Sequence, residues 1–195
     1  MPRARRFERG ADTGGWLAGL VRARGGDLRE HTDTVVDLAR SVATALGLDP
    51  DDRELVARAA ELHDVGKLAV PEAILAKPGP LDGAERALMD RHTVIGEAIV
   101  DAVPGLRPVA ALVRASHERW DGAGYPDRLA GERIPLGARI VAVCDAYSAM
   151  VQERAYGEAL GEEEALAELR RCAGTQFDPH VVAAFCAAMA GARAA

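Results

Sequence analysis

A chain of 195 residues is long enough for one domain of ordinary size with a full hydrophobic core, and short for two. Its 24 Lys and Arg against 30 Asp and Glu give a net charge of −6, which leaves no electrostatic footprint for DNA. No apolar run approaches the roughly eighteen residues of a membrane span, no secretory stretch opens the chain, and Cys144, Cys172 and Cys186 form no CxxC pair. A cytoplasmic protein without a disulfide framework or zinc knuckle is expected.

Residues 1–26 read as an N-terminal segment, partly disordered, with a basic run at Arg3, Arg5, Arg6 and Arg9 and a short helix from Gly14 to Arg24. Residues 27–195 read as one all-helical domain, a compact multi-helix bundle. From Asp27 to Leu46 the stripe Leu28, His31, Val35, Leu38, Val42, Ala45 predicts a helix stopped by Gly47, with His31 on its buried side. Asp49-Pro50-Asp51-Asp52 starts a second helix that ends at His63-Asp64, where Gly66 breaks it. A glycine at that point would also let backbone approach a phosphate.

Asp82 caps the next helix, expected to run through His92 and Gly96 toward Ala102. Leu106 to His117 is amphipathic, and an 18-residue loop from Glu118 to Pro135 follows, dense in glycine, proline and charge. A loop that long inside a compact domain is usually functional. Leu136 to Met150 is apolar almost throughout and predicts the central helix, with Asp145 as a carboxylate in need of a partner or a metal. Helices over Glu162–Cys172 and Asp178–Met189 complete the chain, joined by Gly174-Thr175-Gln176-Phe177-Asp178-Pro179.

Four of the five histidines, His31, His63, His92 and His117, fall on or at the end of four different helical segments. Singly, each reads as a surface or core histidine; as a set they read as a metal centre in a bundle. With Asp64 as bridge and Asp145 as a further ligand they can hold two metals, whose roughly 3.5–4 Å pairing generates hydroxide and clamps an in-line phosphoryl displacement. Imidazole and carboxylate without thiolate favour iron or manganese. Lys67 places an ammonium over a phosphate, or is an exposed lysine after a helix end. His180 reads as structural or exposed. Trp120 and Tyr125 either stack on a base or, for Trp120 equally, pin the loop.

His63-Asp64-Val65-Gly66-Lys67, His92-Thr93-Val94-Ile95-Gly96, the loop from His117 to Gly124-Tyr125-Pro126, Asp145-Ala146-Tyr147-Ser148-Ala149-Met150 and Gly174–Pro179 resemble, in this order, the motifs of the HD-GYP branch of the HD phosphohydrolase superfamily. The resemblance runs from Asp27 to Phe185. It implies an all-helical domain around a central metal site that hydrolyses cyclic di-GMP to the linear dinucleotide, and in some members on to GMP. Carried over by position, it implies His31, His63, Asp64, His92, His117 and Asp145 as ligands of two divalent ions, iron or manganese. Asp64 and Lys67 are then catalytic, with Lys67 on the scissile phosphate, and Gly124, Tyr125, Pro126 and Arg154 bind substrate.

Departures from that pattern are Ser116 where a second histidine is frequent, Ser148 where an aspartate is common, Ala155 for proline and Gly157 for a basic residue. Asp27 stands where three-metal members carry a glutamate, which favours two ions. The alternatives are a weakly active or inactive nucleotide-binding signalling module, or an HD phosphohydrolase of another nucleotide. The expected partners beyond substrate are a second copy, as a homodimer, or a regulatory protein acting in trans; a stand-alone enzyme is the alternative.

Overall fold

A computed structural model describes residues 17, 19, 26–152 and 159–194. Arg154, Ala155, Gly157 and most of the N-terminal segment and its expected helix lie outside the described residues, as does the side chain of Asp27. Within them the helices are α1 Gly26–Ala45, α2 Pro50–Leu62, α3 Glu72–Leu75, α4 Gly83–Asp90, α5 His92–Asp101, α6 Arg107–Arg114, α7 Leu136–Val151, α8 Glu162–Arg171 and α9 Pro179–Ala194. Short 3-10 helices cover Val65–Ala69 and Gly131–Arg133. The expected all-helical architecture is present, and among the described residues no strand forms.

α7 is the centre of the bundle. Its buried side carries Ile140, Val141, Val143, Cys144, Tyr147 and Ser148, and it packs against α1, α2, α6, α8 and α9. α1, which packs on both α2 and α7, contributes Val35, Ala39, Val42 and Ala43 to the core, all essentially sealed from solvent. Ala45, on the expected stripe, is exposed, and the small residues Ala39 and Ala43 are buried in its place.

Local chemistry fixes the helix starts that position the site. The Asp49 carboxylate accepts the Asp52 amide at 2.8 Å, and Pro50 occupies the first turn of α2. Asp82 and Glu85 form a reciprocal capping box on α4. The single helix expected from Asp82 past Gly96 is instead two helices, broken at Arg91. The His92 Nδ1–H and the Thr93 hydroxyl donate to the carbonyls of Met89 and Asp90, at 2.7 and 3.1 Å. Side chains thus take acceptors that a continuous helix would give to its own amides.

Gly66 has a packing reason. A Cβ there would overlap the carbonyl of His92, so only glycine lets the 3-10 helix lie against the start of α5. Its free side is filled by that helix, which corrects the expectation that the glycine makes room for a phosphate.

Candidate metal centre

Five elements deliver six side chains to one place. His31 comes from α1, His63 from the C-terminal cap of α2 with Asp64 next to it, His92 opens α5, His117 lies just beyond α6, and Asp145 faces inward from α7. They form two groups, His31 with His63 and Asp145, and Asp64 with His92 and His117; the ligand atoms within each lie within 4.8 Å of one another. Asp64 joins them, its Oδ2 3.5 Å from His63 Nε2 and its Oδ1 3.6 Å from His92 Nε2. One carboxylate presenting an oxygen to each group is the disposition of a bridging ligand.

The rings are held so that the correct nitrogen faces inward. His63 Nδ1–H donates to the Ala60 carbonyl and His92 Nδ1–H to that of Met89, each at 2.7 Å. A carbonyl only accepts, so each neutral ring keeps its Nε2 lone pair for the centre. His63 Nε2, His92 Nε2, His117 Nε2 and Asp64 Oδ1 are buried without a hydrogen-bond partner. Orphaned polar atoms at this depth are costly, and four converging on one spot fit cations as their missing partners. The donor set suits a divalent ion at each group.

The electrostatics agree. Burial opposes a charge on His63, but the Asp64 and Asp145 carboxylates outweigh it and push the ring up to about 9. Burial drives His117 down to about 4, and it lowers His92 as well. Burial also works against the charge on Asp64 and Asp145, yet Lys67 with His63, and His31 with His63, hold the two carboxyls below the usual carboxylate range. The pocket therefore has two anions and a strong demand for positive charge.

One edge is open. Asp145 and Lys67 retain 25% and 32% side-chain exposure, whereas His63, Asp64 and His92 retain 2%, 6% and 1%. Lys67 Nζ donates to Asp64 Oδ2 at 2.6 Å, which puts its ammonium on this edge. Tyr125 lies across the other group, stacked on His117 with centroids 5.2 Å apart and planes 8° apart. Burial and then Asp90 raise its hydroxyl well above the usual phenol range, so it stays neutral.

The loop that carries Gly124, Tyr125 and Pro126 is braced from within. The buried Glu118 carboxylate accepts the amides of Asp127 and Leu129 at 2.7 and 3.0 Å. A Cβ on Gly124 would run into the backbone of Glu118 and Arg119, so this glycine serves chain crossing. Trp120 belongs to the scaffold: its amide donates to the Gln176 carbonyl at 3.1 Å, and the Arg139 guanidinium lies 5.7 Å from its ring centre. Of its two readings, pinning the loop is the one the geometry favours.

Ser116, where a second histidine is frequent, donates its hydroxyl to the Val113 carbonyl at 2.9 Å and leaves the cluster. Glu118, Arg139 and the contact of Ser148 with His31 are parts of the site that the structure adds to those the residues point to. Only the density of charge in the long loop hinted at Glu118; for the other two the sequence carries no signal.

The sequence profile of the HD domain matches residues 16–181. The chain is 40% identical over 177 residues to the cyclic di-GMP phosphodiesterase response regulator RpfG of Xanthomonas campestris, covering 90% of this chain and 47% of that one. It is 38% identical to the 3'3'-cGAMP-specific phosphodiesterase 2 of Vibrio cholerae, with 85% and 32% covered. A cyclic di-GMP phosphodiesterase of Thermotoga maritima is also 38% identical, with 82% and 44% covered. The chain spans less than half the length of these curated relatives. Among solved structures, the V. cholerae cyclic GMP-AMP phosphodiesterase V-cGAP3 superposes with a TM-score of 0.70 at 19% identity, over 91% of this chain and 48% of that one. The PgpH HD domain of Listeria monocytogenes does so with 0.60 at 17%, over 91% and 98%. By profile, ordered motifs and fold, the chain belongs to the HD domain family, in its HD-GYP branch.

Proposed function

We propose that this domain is a metal-dependent phosphodiesterase that opens a cyclic dinucleotide, cyclic di-GMP, to its linear form, pGpG, with GMP as the product where hydrolysis continues past the first step. The observation that carries the reading is the convergence of three buried imidazole nitrogens without partners on the Asp64 carboxylate, which lies between the two groups. His31, His63 and Asp145 would hold one divalent ion, His92 and His117 the other, and Asp64 both, with iron or manganese suited to this donor set. Such a pair supplies Lewis acidity, lowering the pKa of water toward neutrality and neutralising charge on a phosphoryl group.

The chain's own groups do the rest. Lys67, on the open edge, sets an ammonium where a phosphate entering past Asp145 gathers charge, and its bond to Asp64 keeps it there. Tyr125 is a neutral phenol that can donate to a phosphate or stack on guanine, held in place by the ring of His117. Gly124 and Pro126 would shape the nucleotide pocket beside it. Arg154 is taken as a contact to phosphate or base through its forked donors. Control by a second copy or by a protein acting in trans belongs to the same reading.

The names of relatives specific for 3'3'-cGAMP support a second substrate of the same class. The test is to purify the protein anaerobically, count iron and manganese, and assay both dinucleotides beside a His63→Ala/Asp64→Ala variant. About two ions per chain and a linear product, both lost in the variant, are expected. Full loading with saturable nucleotide binding but no turnover would replace the enzyme with a signalling module.

A further inference from the structure

The last turn of α4 ends against the candidate centre. The His92 ring and the Thr93 hydroxyl bond to the carbonyls of Met89 and Asp90, so the residues that open α5 set the place of Asp90. The Asp90 side chain has no part in that junction. Its Oδ1 is buried and has no hydrogen-bond partner, although the residue as a whole is only half-buried. A carboxylate oxygen sealed in this way is costly unless something donates to it. Arg86 lies four residues earlier on the same face of α4, exposed and without an ion pair among the described residues. An Arg and an Asp at that spacing are able to pair; here they stand side by side, a forked donor next to an acceptor.

Both act on Tyr125, the ring stacked on His117 at the edge of the centre. Of the charges that bear on its hydroxyl, Asp90 has the largest effect, ahead of Asp64, and Arg86 acts in the opposite sense. Charge effects fall with distance, which places the pair beside the phenol. A base held against Tyr125 therefore meets Arg86 and Asp90. Guanine presents its O6 acceptor next to the N1–H and N2–H2 donors, the order that an Arg beside an Asp requires. Adenine presents the reverse, its N6–H2 toward the guanidinium and its bare N1 toward the carboxylate. We propose that Arg86 and Asp90 form a subsite that reads one guanine of the cyclic dinucleotide, Asp90 accepting from N1–H and N2–H2 and Arg86 donating to O6. The proposal rests on the reading of the centre as a cyclic-dinucleotide phosphodiesterase, and it assigns the choice of base to two residues outside the ligand set. With one such subsite, 3'3'-cGAMP can turn its single guanine into it, whereas cyclic di-AMP has none to offer.

The test uses the full chain loaded with manganese and slowly hydrolysed phosphorothioate analogues of cyclic di-GMP, 3'3'-cGAMP and cyclic di-AMP, with dissociation constants read by calorimetry. The wild type should hold the cyclic di-GMP analogue about 10- to 100-fold more tightly than the cyclic di-AMP analogue, with the hybrid close to the former. Asp90→Asn keeps the size of the side chain and turns one acceptor into a donor. It should lose most of that preference at the metal content of the wild type, which shows that the centre is intact. Arg86→Ala should weaken the two guanine-containing analogues about 3- to 10-fold, with less effect on the third. An Asp90→Asn protein with the wild-type preference overturns the proposal and leaves the phosphodiesterase reading standing. So does a hybrid held no better than the cyclic di-AMP analogue. A manganese-loaded wild type that binds none of the three overturns both, which separates the two failures.

Discussion

His63 and His117 respond to pH in opposite directions although both face the same centre. The metal-free fold raises His63 from 6.5 to about 9, so it favours the charged ring. That contribution is complete below pH 6.5 and fades as pH climbs toward 9. His117 is lowered to about 4, so its contribution is present above its ordinary 6.5 and is lost as pH falls toward 4. The urea midpoint of the metal-free protein should therefore fall from pH 6.5 to 9, and His63→Gln should remove most of that slope. With metal bound the slope should reverse, since ligation needs the neutral ring. Equal slopes in wild type and variant would refute the account. Gly66 gives a second test at this scale: Gly66→Ala should cost about 1–3 kcal/mol or more in urea denaturation and displace His92, because the added methyl meets backbone. The histidines were legible because the chain has only five and four of them fall on or at the end of helices; Asp64 was legible beside His63, and Asp145 as a carboxylate in an apolar helix. Ser148 was legible only as a departure; a hydroxyl announces no partner until the fold supplies one.

At the scale of the element, the loop after α6 is where sequence and structure inform each other most. Its length and composition announced function, but which of its residues face the site and which hold it up was decided by packing. Glu118→Gln keeps the size of the side chain but replaces one acceptor by a donor, so the Asp127 or Leu129 amide faces a second donor. The expected result is faster hydrogen exchange at those amides and a raised KM, with the metal content of the wild type. An unchanged KM would show that the loop is not held by Glu118. The break between α4 and α5 was illegible for a related reason. Hydrophobic periodicity continues across Arg91, and only the contest of His92 and Thr93 side chains for main-chain carbonyls ends one helix and begins the next.

For the whole molecule, Arg139 ties three parts of the chain together, the central helix, the start of the last helix and the long loop. Arg139 of α7 donates to Asp178, at the start of α9, at 2.6 Å and lies against Trp120 of the loop; both members of the pair are largely buried. Asp178→Ala would leave the guanidinium with only the Ile134 carbonyl and remove the acceptor of the His180 amide, so a loss of about 1–3 kcal/mol is expected by denaturation, more than a single surface pair would cause. The architecture was legible almost throughout, since α7 is nearly all apolar and the amphipathic helices around it can only pack inward. Pairings such as Arg139 with Asp178 were not, because two charges distant in the chain carry no mark of each other. The uneven exposure of the centre has its own kinetic signature. With His63, Asp64 and His92 sealed and only the rim of Asp145, Lys67 and half-buried His117 reaching solvent among the described residues of the centre, a chelator and a nucleotide must share that rim. A slowly released nucleotide analogue should therefore prolong the half-life of bound metal against a chelator in proportion to its occupancy, and stripping that ignores the analogue would reveal a back entrance.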